Sequence, residues 1–456
     1  MNTRAEVYST HAEVAGGVGQ VAGHGSGYDD ASAGALVSGV PNWNTRELTG
    51  EYTDTKRTRS GIDAPFLALT LLILLIGVIM VLSASFARGY YTNGEPMRVF
   101  TRQLVFAISG VAIMLIVSRF NVKTMSRWAY LLLFISVILL IAVLFVGIRV
   151  NGAKRWLGFE GGGGSFSFQP SEVAKLALIM ALAKWTCDKG QKKMKTFRYG
   201  VAPYLIVALI VVLLLMGETH ISASIIVIAL TVIMMFAGGT RLIWFTPVVI
   251  GIAALIGLLV VVNANGPSRD DSPQGLTEQL SQMQLVGGRF GYADGRIDAW
   301  INPEADPLGN GFQIRQSLYA VGSGGLFGQG LGQSKQKYLY LPEEHNDYIF
   351  AVVCEELGYI GAMLILMLFS LLIIRGYWLA LHAKNRYSAL ITTGIISLLA
   401  LQVFLNVAVV TNLLPATGIS LPFFSYGGTA LWLQLFQMGI VLAVSREIPK
   451  DDGVKT

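Results

Sequence analysis

The segment "PFLALTLLILLIGVIMVLSAS", residues 65–85, runs for 21 residues without a charged side chain. At about 1.5 Å per residue a helix of that length spans about 30 Å, the thickness of a bilayer's hydrocarbon. A helix is also the form that satisfies its own backbone where no water is present. Nine further apolar stretches follow, near 103–119, 129–148, 171–186, 201–217, 220–237, 243–262, 347–374, 388–412 and 426–445. The sequence therefore predicts an all-α integral membrane protein: ten transmembrane helices with one large extracytoplasmic loop between helices 7 and 8.

Composition agrees, since 53% of the 456 residues are hydrophobic and 14% charged, against about 45–50% and 25% in a soluble domain. Residues 1–60 are polar, rich in Gly, Ser, Thr, Ala and His, and lack the apolar core of a signal peptide. They predict a disordered cytoplasmic tail ahead of a membrane domain over 61–450, with a short C-terminal tail at 451–456. Nineteen Lys and Arg residues fall in the connections on the N-terminal side. The short opposite ones hold six, namely Arg88, Arg98, Arg102, Arg149, Lys154 and Arg155. The positive-inside rule then puts both termini in the cytoplasm of a cell that carries the chain in its inner, or plasma, membrane. The same pattern accounts for the net charge of +6, so no nucleic-acid partner is expected. Cys187 and Cys354 fall at a cytoplasmic helix end and inside a span, so no disulfide is expected.

The chain's polar features gather on the outer side. The connection 263–346 is too long for a simple link and contains "INPEADPLGNGFQ", residues 301–313, where Glu304 and Asp306 lie among prolines and glycines. Taken alone, Asp before Pro is a turn signal. "LTEQLSQMQLV" and "QIRQSLYAVG" in the same connection have the apolar spacing of short amphipathic helices. In "VNGAKRWLGFEGGGGSFSFQPSEVAKLALI", residues 150–179, Lys154, Arg155 and Trp156 stand at the outer boundary. There Ser171 is the expected N-cap, and Glu172 and Lys175 lie one turn apart. An interfacial anchor with a surface ion pair and a rim for an anionic lipid headgroup both fit those residues. Further on, Lys335 and Lys337 precede Glu343, Glu344, His345 and Asp347, and Glu355 and Glu356 lie inside the next span, where ionisable groups suggest a site facing a cavity or partner. The spacing matches no zinc motif. "NLLPATGISLPFFSYGGTALW" is uncharged and suits a re-entrant or tightly packed loop.

Three stretches, "NGAKRWLGF…FQPSEVAKLAL", "NPEADPLGNGFQIRQSLYAVGSGGLFGQGLGQSKQKYLYLPEEHNDYIFAVVCEELGYIGA" and "LLPATGISLPFFSYGG", together resemble the SEDS family, the FtsW, RodA and SpoVE proteins of bacterial cell-wall synthesis. The resemblance runs from about residue 62 to 447. It implies a peptidoglycan glycosyltransferase that polymerises lipid II, releases undecaprenyl pyrophosphate and works with a class B penicillin-binding protein, the FtsI-like transpeptidase. The branch that looks closest is FtsW, which implies cell division and divisome partners; elongation, as in RodA, and sporulation, as in SpoVE, are the alternatives within the family. The family's catalytic Asp matches Asp306. The headgroup site implied by the resemblance comprises Arg102, Lys154, Arg155, Trp156, Glu172, Lys175, Gln316, Lys337 and His345, with a divalent cation, Mg²⁺ or Mn²⁺, at the pyrophosphate. The chemistry is self-consistent, because a sugar hydroxyl attacking an anomeric carbon needs one base and a pyrophosphate leaving group needs cations. A lipid-linked precursor flippase is the reading from another class, but its path would need polar groups through the full depth of the spans.

One departure stands out. Where relatives commonly have "PD" before the sixth span, this chain has "GETHISAS", with Thr219 and His220 in those places. Either Glu218 supplies the missing charge, or the relatives' Asp is structural and His220 is a polar helix-cap residue; the second is the preferred expectation.

Overall fold

The computed structural model describes residues 61–150, 153–159, 166–218, 220–246, 296, 299–304, 310–338 and 340–448. The tails at 1–60 and 451–456 lie outside them. So do most of the predicted seventh span, the tip of the large loop, Thr219 and Asp306. The helices are α1 (Ala64–Arg88), α2 (Arg98–Val117), α3 (Val122–Val146), α4 (Pro170–Met194), the short α5 (Phe197–Gly200), α6 (Ala202–Gly217), α7 (Ile221–Ala237), α8 (Asn310–Ser323), α9 (Ile349–Leu381), α10 (Arg386–Val410) and α11 (Gly428–Ser445). Among the described residues seven helical segments are long and apolar enough to cross a membrane: Ala64–Tyr91, Arg98–Val117, Val122–Val146, Phe197–Gly217, Ile349–Leu381, Arg386–Val410 and Gly428–Ser445. The chain is a multi-pass membrane protein. α7 is a shorter apolar helix, and α4 carries charge among its apolar residues.

An all-α description is too simple. Three short strands, β1 (Ile148–Val150), β2 (Ala153–Phe159) and β3 (Phe166–Phe168), form an antiparallel sheet in the order β1-β2-β3. Trp156 and Phe159 in "AKRWLGF" are residue types that favour a pleated surface, and the sheet occupies the connection between α3 and α4.

Two kinds of helix build the bundle. From Leu176 to Ala183 α4 is apolar on every side and wholly buried, and it packs against α3, α7 and α10. A helix without a polar face belongs inside. The peripheral helices instead expose large apolar side chains, such as Leu75 on α1, Ile108 on α2, Phe134 on α3 and Leu213 on α6, which suit lipid and not water. At one end Asp63 ties three helices together: it accepts from Phe66 N as the α1 N-cap at 2.9 Å, from Arg375 of α9 at 2.6 Å, and its own N–H donates to Ser445 of α11 at 3.2 Å.

α9 is broken at Gly358, whose φ of 68° is left-handed. The segment 324–337 folds into that break. Gln329 and Gly330 donate to the carbonyls of Glu355 and Glu356 at 2.9 and 3.0 Å, while Tyr359 and Ile360 donate to Gly325 and Leu326 at 2.9 and 3.1 Å. The uncharged connection 411–427 is tightly packed as expected, with Leu421, Phe423 and Phe424 fully buried. Phe423 itself takes φ 65°, and its N–H is satisfied by Gln434 at 2.9 Å.

Candidate functional site

The site is built where β2, the start of α4, the α6–α7 connection, the large loop and the segment before α9 meet. Arg155 is delivered by a break in register: Ile148 pairs with Trp156 and Arg149 with Lys154, so Arg155 is the extra residue of a bulge. Bulges re-aim side chains. Arg155 lies within electrostatic reach of Glu218, His220 and Asp347. Lys154 and Trp156, on the same strand, are half-buried.

Helix α4 begins at Pro170, a residue suited to the first helical turn, and its N-cap is Gln169, without a side-chain cap bond. The expectation of Ser171 as N-cap is corrected: Ser171 is the second residue of the helix, fully buried, and its hydroxyl has no partner among the described residues. One turn on, Lys175 Nζ sits 2.8 Å from Glu172 Oε1 with both side chains buried. The pair belongs to the interior of the site, so the surface-pair reading fails.

Glu218 and His220 both face Arg155. Glu218 is 1% exposed, and burial pushes its carboxyl up to about 8 against the pull of Arg155. Burial, reinforced by Arg155, Lys175 and Arg296, holds His220 well below the usual histidine range, so its ring is neutral. His220 does stand at the N-cap of α7 but makes no side-chain cap bond, and its Nδ1 is buried without a partner. His220 thus takes the helix-cap position without a cap bond, and Glu218 sets opposite Arg155 a carboxyl that burial keeps largely uncharged at neutral pH. Arg296 of the large loop, which no sequence motif singles out, donates to Ala416 O at 2.8 Å and so joins that loop to the 411–427 connection.

Asp347 and His345 precede α9. His345 Nδ1 is 3.5 Å from Glu344 Oε1, its ring centroid is 5.9 Å from that of Tyr426, and Glu344 also pairs with Arg88 at 3.3 Å. Glu343 takes φ 57° beside them, a strained conformation of the sort that clusters at functional sites.

Other predicted site residues go elsewhere. Lys337 is 3% exposed, and its ammonium is held by Glu356 at 2.9 Å and Ser83 at 3.2 Å. It is thus committed to an internal ion pair and not to substrate. Glu356 also accepts from Ser83 Oγ at 2.7 and 2.6 Å, and Glu355 from the amides of Lys335 and Gln336 at 2.9 and 3.3 Å. These two carboxylates, expected to face a cavity or partner, hold the 334–337 segment against the broken helix. Gln316 is half-buried on α8, next to Ser317, whose hydroxyl binds Val410 O at 2.9 Å. Arg102 is half-buried on α2 beside the fully buried Gln103. Glu304 is exposed in a turn.

With this geometry in hand, comparison with known proteins decides the family. The model of the FtsW/RodA/SpoVE family, described as cell cycle proteins, matches residues 64–450. The chain belongs to that family. It is 41% identical over 395 residues to "Stage V sporulation protein E" of Bacillus subtilis, covering 86% of this chain and 98% of the relative. It is 38% identical to the "Probable peptidoglycan glycosyltransferase FtsW" of Trichlorobacter lovleyi, covering 84% and 93%. Among solved structures, a chain of a peptidoglycan synthase complex that coordinates polymerization and crosslinking aligns with a TM-score of 0.64 and 27% identity, covering 84% of this chain and 98% of that one. In this FtsW/RodA/SpoVE protein the described residues contain no group of three or more His, Cys, Asp or Glu able to hold a metal ion. Glu172 is matched to Lys175 and Glu218 faces Arg155, so these carboxyls do not make a protein-only metal cage.

Proposed function

We propose that this chain is a peptidoglycan glycosyltransferase that polymerises lipid II into glycan strands during cell division, in complex with a class B penicillin-binding protein and other divisome proteins. The observation that carries the reading is the convergence of Arg155, Lys175 and Arg296 on His220 in a member of this family. Donors and cations fixed in advance stabilise a charged leaving group without reorganising. In the proposed reaction the acceptor sugar's hydroxyl oxygen bonds to the anomeric carbon of the donor. The bond from that carbon to the diphosphate oxygen breaks with its electron pair, and undecaprenyl pyrophosphate leaves. The hydroxyl proton passes to Asp306, which lies outside the described residues and takes this role from the motif match alone. A positioned base of this kind contributes about 10² to 10⁴ in rate. Arg155 and Arg296 neutralise the diphosphate, with Lys154, Trp156 and Arg102 around the headgroup and Lys175 held beside them by Glu172 at 2.8 Å. A divalent cation, Mg²⁺ or Mn²⁺, would add charge neutralisation at the diphosphate, for which the described residues offer no protein cage.

The finer topology belongs to the same reading: ten spans, the large loop outside, and both termini in the cytoplasm. The test is polymerisation of purified lipid II by the detergent-solubilised complex, wild type beside Asp306→Ala, before and after chelation. Glycan chains from wild type only are the expected result. Chains from both proteins would remove Asp306 from the mechanism. Chains from neither, with lipid II still crossing vesicle membranes, would favour a flippase. Depletion giving round cells in place of filaments would move the role from division to elongation.

A further inference from the structure

Between Lys189 and Gly200 the chain carries five cations, Lys189, Lys192, Lys193, Lys195 and Arg198, and no carboxylate. They gather at the end of α4 opposite to Glu172 and Lys175, so they belong to the other face of the bundle from the candidate site. Hydrogen bonds connect that face to the two ends of the membrane domain. Thr240 Oγ1 donates to Gly200 O at 3.1 Å, and Arg386 at the start of α10 donates to Gly238 O at 2.9 Å. Arg375, near the end of α9, in turn holds Asp63 at the start of α1.

These cations are held by a scaffold. α4 breaks at Gly190, which takes φ 71°, and the chain returns so that Trp185 Nε1 donates to Tyr199 O at 3.0 Å. Lys189 Nζ then lies 4.6 Å from the ring centroid of Trp185, while Lys193 Nζ and Arg198 Cζ lie 6.0 and 5.8 Å from that of Tyr199, within cation–π reach. Beside them the 3₁₀ turn Leu242–Trp244 is joined to the basic stretch through Trp244, whose Nε1 donates to Lys195 O at 3.3 Å and whose ring lies 5.2 Å from that of Phe197. The turn leaves Leu242 62% and Ile243 67% exposed, with Phe197 at 47%, and Arg241 adds a sixth cation at its edge. Among the described residues none of these six cations forms an ion pair with a carboxylate.

Cations beside exposed apolar side chains match the boundary between hydrocarbon and headgroups. A positive surface without its own carboxylates is complementary to an anion, and clusters of about four to eight Lys and Arg next to a span bind anionic lipid. An acidic peptide would answer the charge but leave Leu242, Ile243 and Phe197 in water, whereas a phospholipid brings acyl chains and phosphate together. We propose that the 189–200 stretch and the 241–244 turn form a docking surface for an anionic phospholipid, with Lys193, Lys195 and Arg198 receiving its phosphate and Leu242, Ile243 and Phe197 lying against its acyl chains. The surface lies at the opposite end of α4 from the candidate site, so it is independent of the transferase reading.

The experiment uses the full-length protein in micelles that hold equal amounts of phosphatidylglycerol and phosphatidylcholine, with the lipids it retains counted by native mass spectrometry. Wild type should retain phosphatidylglycerol in preference. Raising the salt from about 0.1 to about 1 M shortens the screening length from about 10 to about 3 Å and should erase that preference. Each cation near an anionic lipid surface contributes about fivefold to affinity, so the variant Lys193→Gln, Lys195→Gln, Arg198→Gln should lower the preference by about tenfold or more. All three side chains are exposed, so their loss should leave the fold intact. The variant Arg119→Gln, Lys123→Gln, Arg127→Gln removes the same charge around the α2–α3 connection and should keep the preference. Equal retention of the two lipids by wild type overturns the proposal without reference to any variant, as does a preference that survives the higher salt. Equal losses in the two triple variants would show that net charge, and not this surface, selects the lipid, and would overturn it too. Displacement of phosphatidylglycerol by an equal concentration of polyglutamate would give the surface to an acidic protein partner instead.

Discussion

Replacing Lys337 with Met separates two roles that the sequence alone leaves mixed. The Lys337 ammonium sits 2.9 Å from Glu356 and 3.2 Å from Ser83 Oγ, with Lys337 3% and Glu356 1% exposed. Met keeps much of the aliphatic volume and removes the charge. Glu356 would retain Ser83 at 2.7 and 2.6 Å and the Ser334 amide at 3.3 Å but would lose its counter-ion in a medium that penalises a lone charge. Breaking a buried pair by removing one partner costs about 3–5 kcal/mol, while replacing both partners by apolar groups is often neutral. Lys337→Met alone should therefore be destabilised by about 3–5 kcal/mol, and Lys337→Met with Glu356→Met should recover part of that loss. Reversible unfolding in mixed micelles, followed by tryptophan fluorescence, measures both. Wild-type stability in Lys337→Met would refute the assignment of Lys337 to the internal pair, and lost polymerisation in that stable protein would return it to the substrate site.

Glu218 makes stability depend on pH with a definite sign. Its folded value of about 8 lies above the ordinary 4.5, so its contribution is fully present below pH 4.5, falls as pH rises through the window to 8, and is gone above it, at about 1.4 kcal/mol per unit within the window. Glu218→Gln should remove that decline, and equal slopes for variant and wild type in unfolding measured from pH 5 to 8 would contradict it. Asn406→Leu should cost about 1–3 kcal/mol for each buried carbonyl left unpaired, since Nδ2 serves Asp347 O and Ile419 O, both at 2.7 Å. It should also depress kcat, because the segment carrying Asp347 loses its anchor. Unchanged thermal midpoint and kcat would show that the amide is dispensable.

The helices were legible because their signal is long and physical: runs such as 65–85 cannot be satisfied in any other way in hydrocarbon. The position of Pro170 placed the start of α4 within a residue, and the spacing of Glu172 and Lys175 placed them on one turn. The sheet at 148–168 was missed because its longest strand is 7 residues and its two cations and tryptophan look equally like an interfacial belt. Lys337 was misassigned for a different reason. Its partners Ser83 and Glu356 are separated from it by 254 and 19 residues, and a charge near a span carries no local mark of whether a partner already holds it. Glu218 and His220 were visible as a departure from the family pattern, but their meaning depended on the bulge that turns Arg155 toward them, a feature of register that no single strand's sequence reveals.

The break in α9 shows how the fold separates anchoring charges from working ones. A helix interrupted at membrane depth must find new partners for the backbone groups it frees, and here the 324–330 segment provides four of them. Such a segment must itself be held, and Glu355 and Glu356 do this by accepting the amides of residues 334–336 while Lys337 balances the charge. Their ionisable groups are thereby consumed by architecture. Arg155, Arg296, Glu218, His220 and Asp347 meet instead at the junctions of separate connections, where each is fixed by its own element. Arg155 and Arg296 are thereby set against carboxyls whose pKa burial raises, and on the proposed transferase reading they are the cations that meet the substrate's diphosphate.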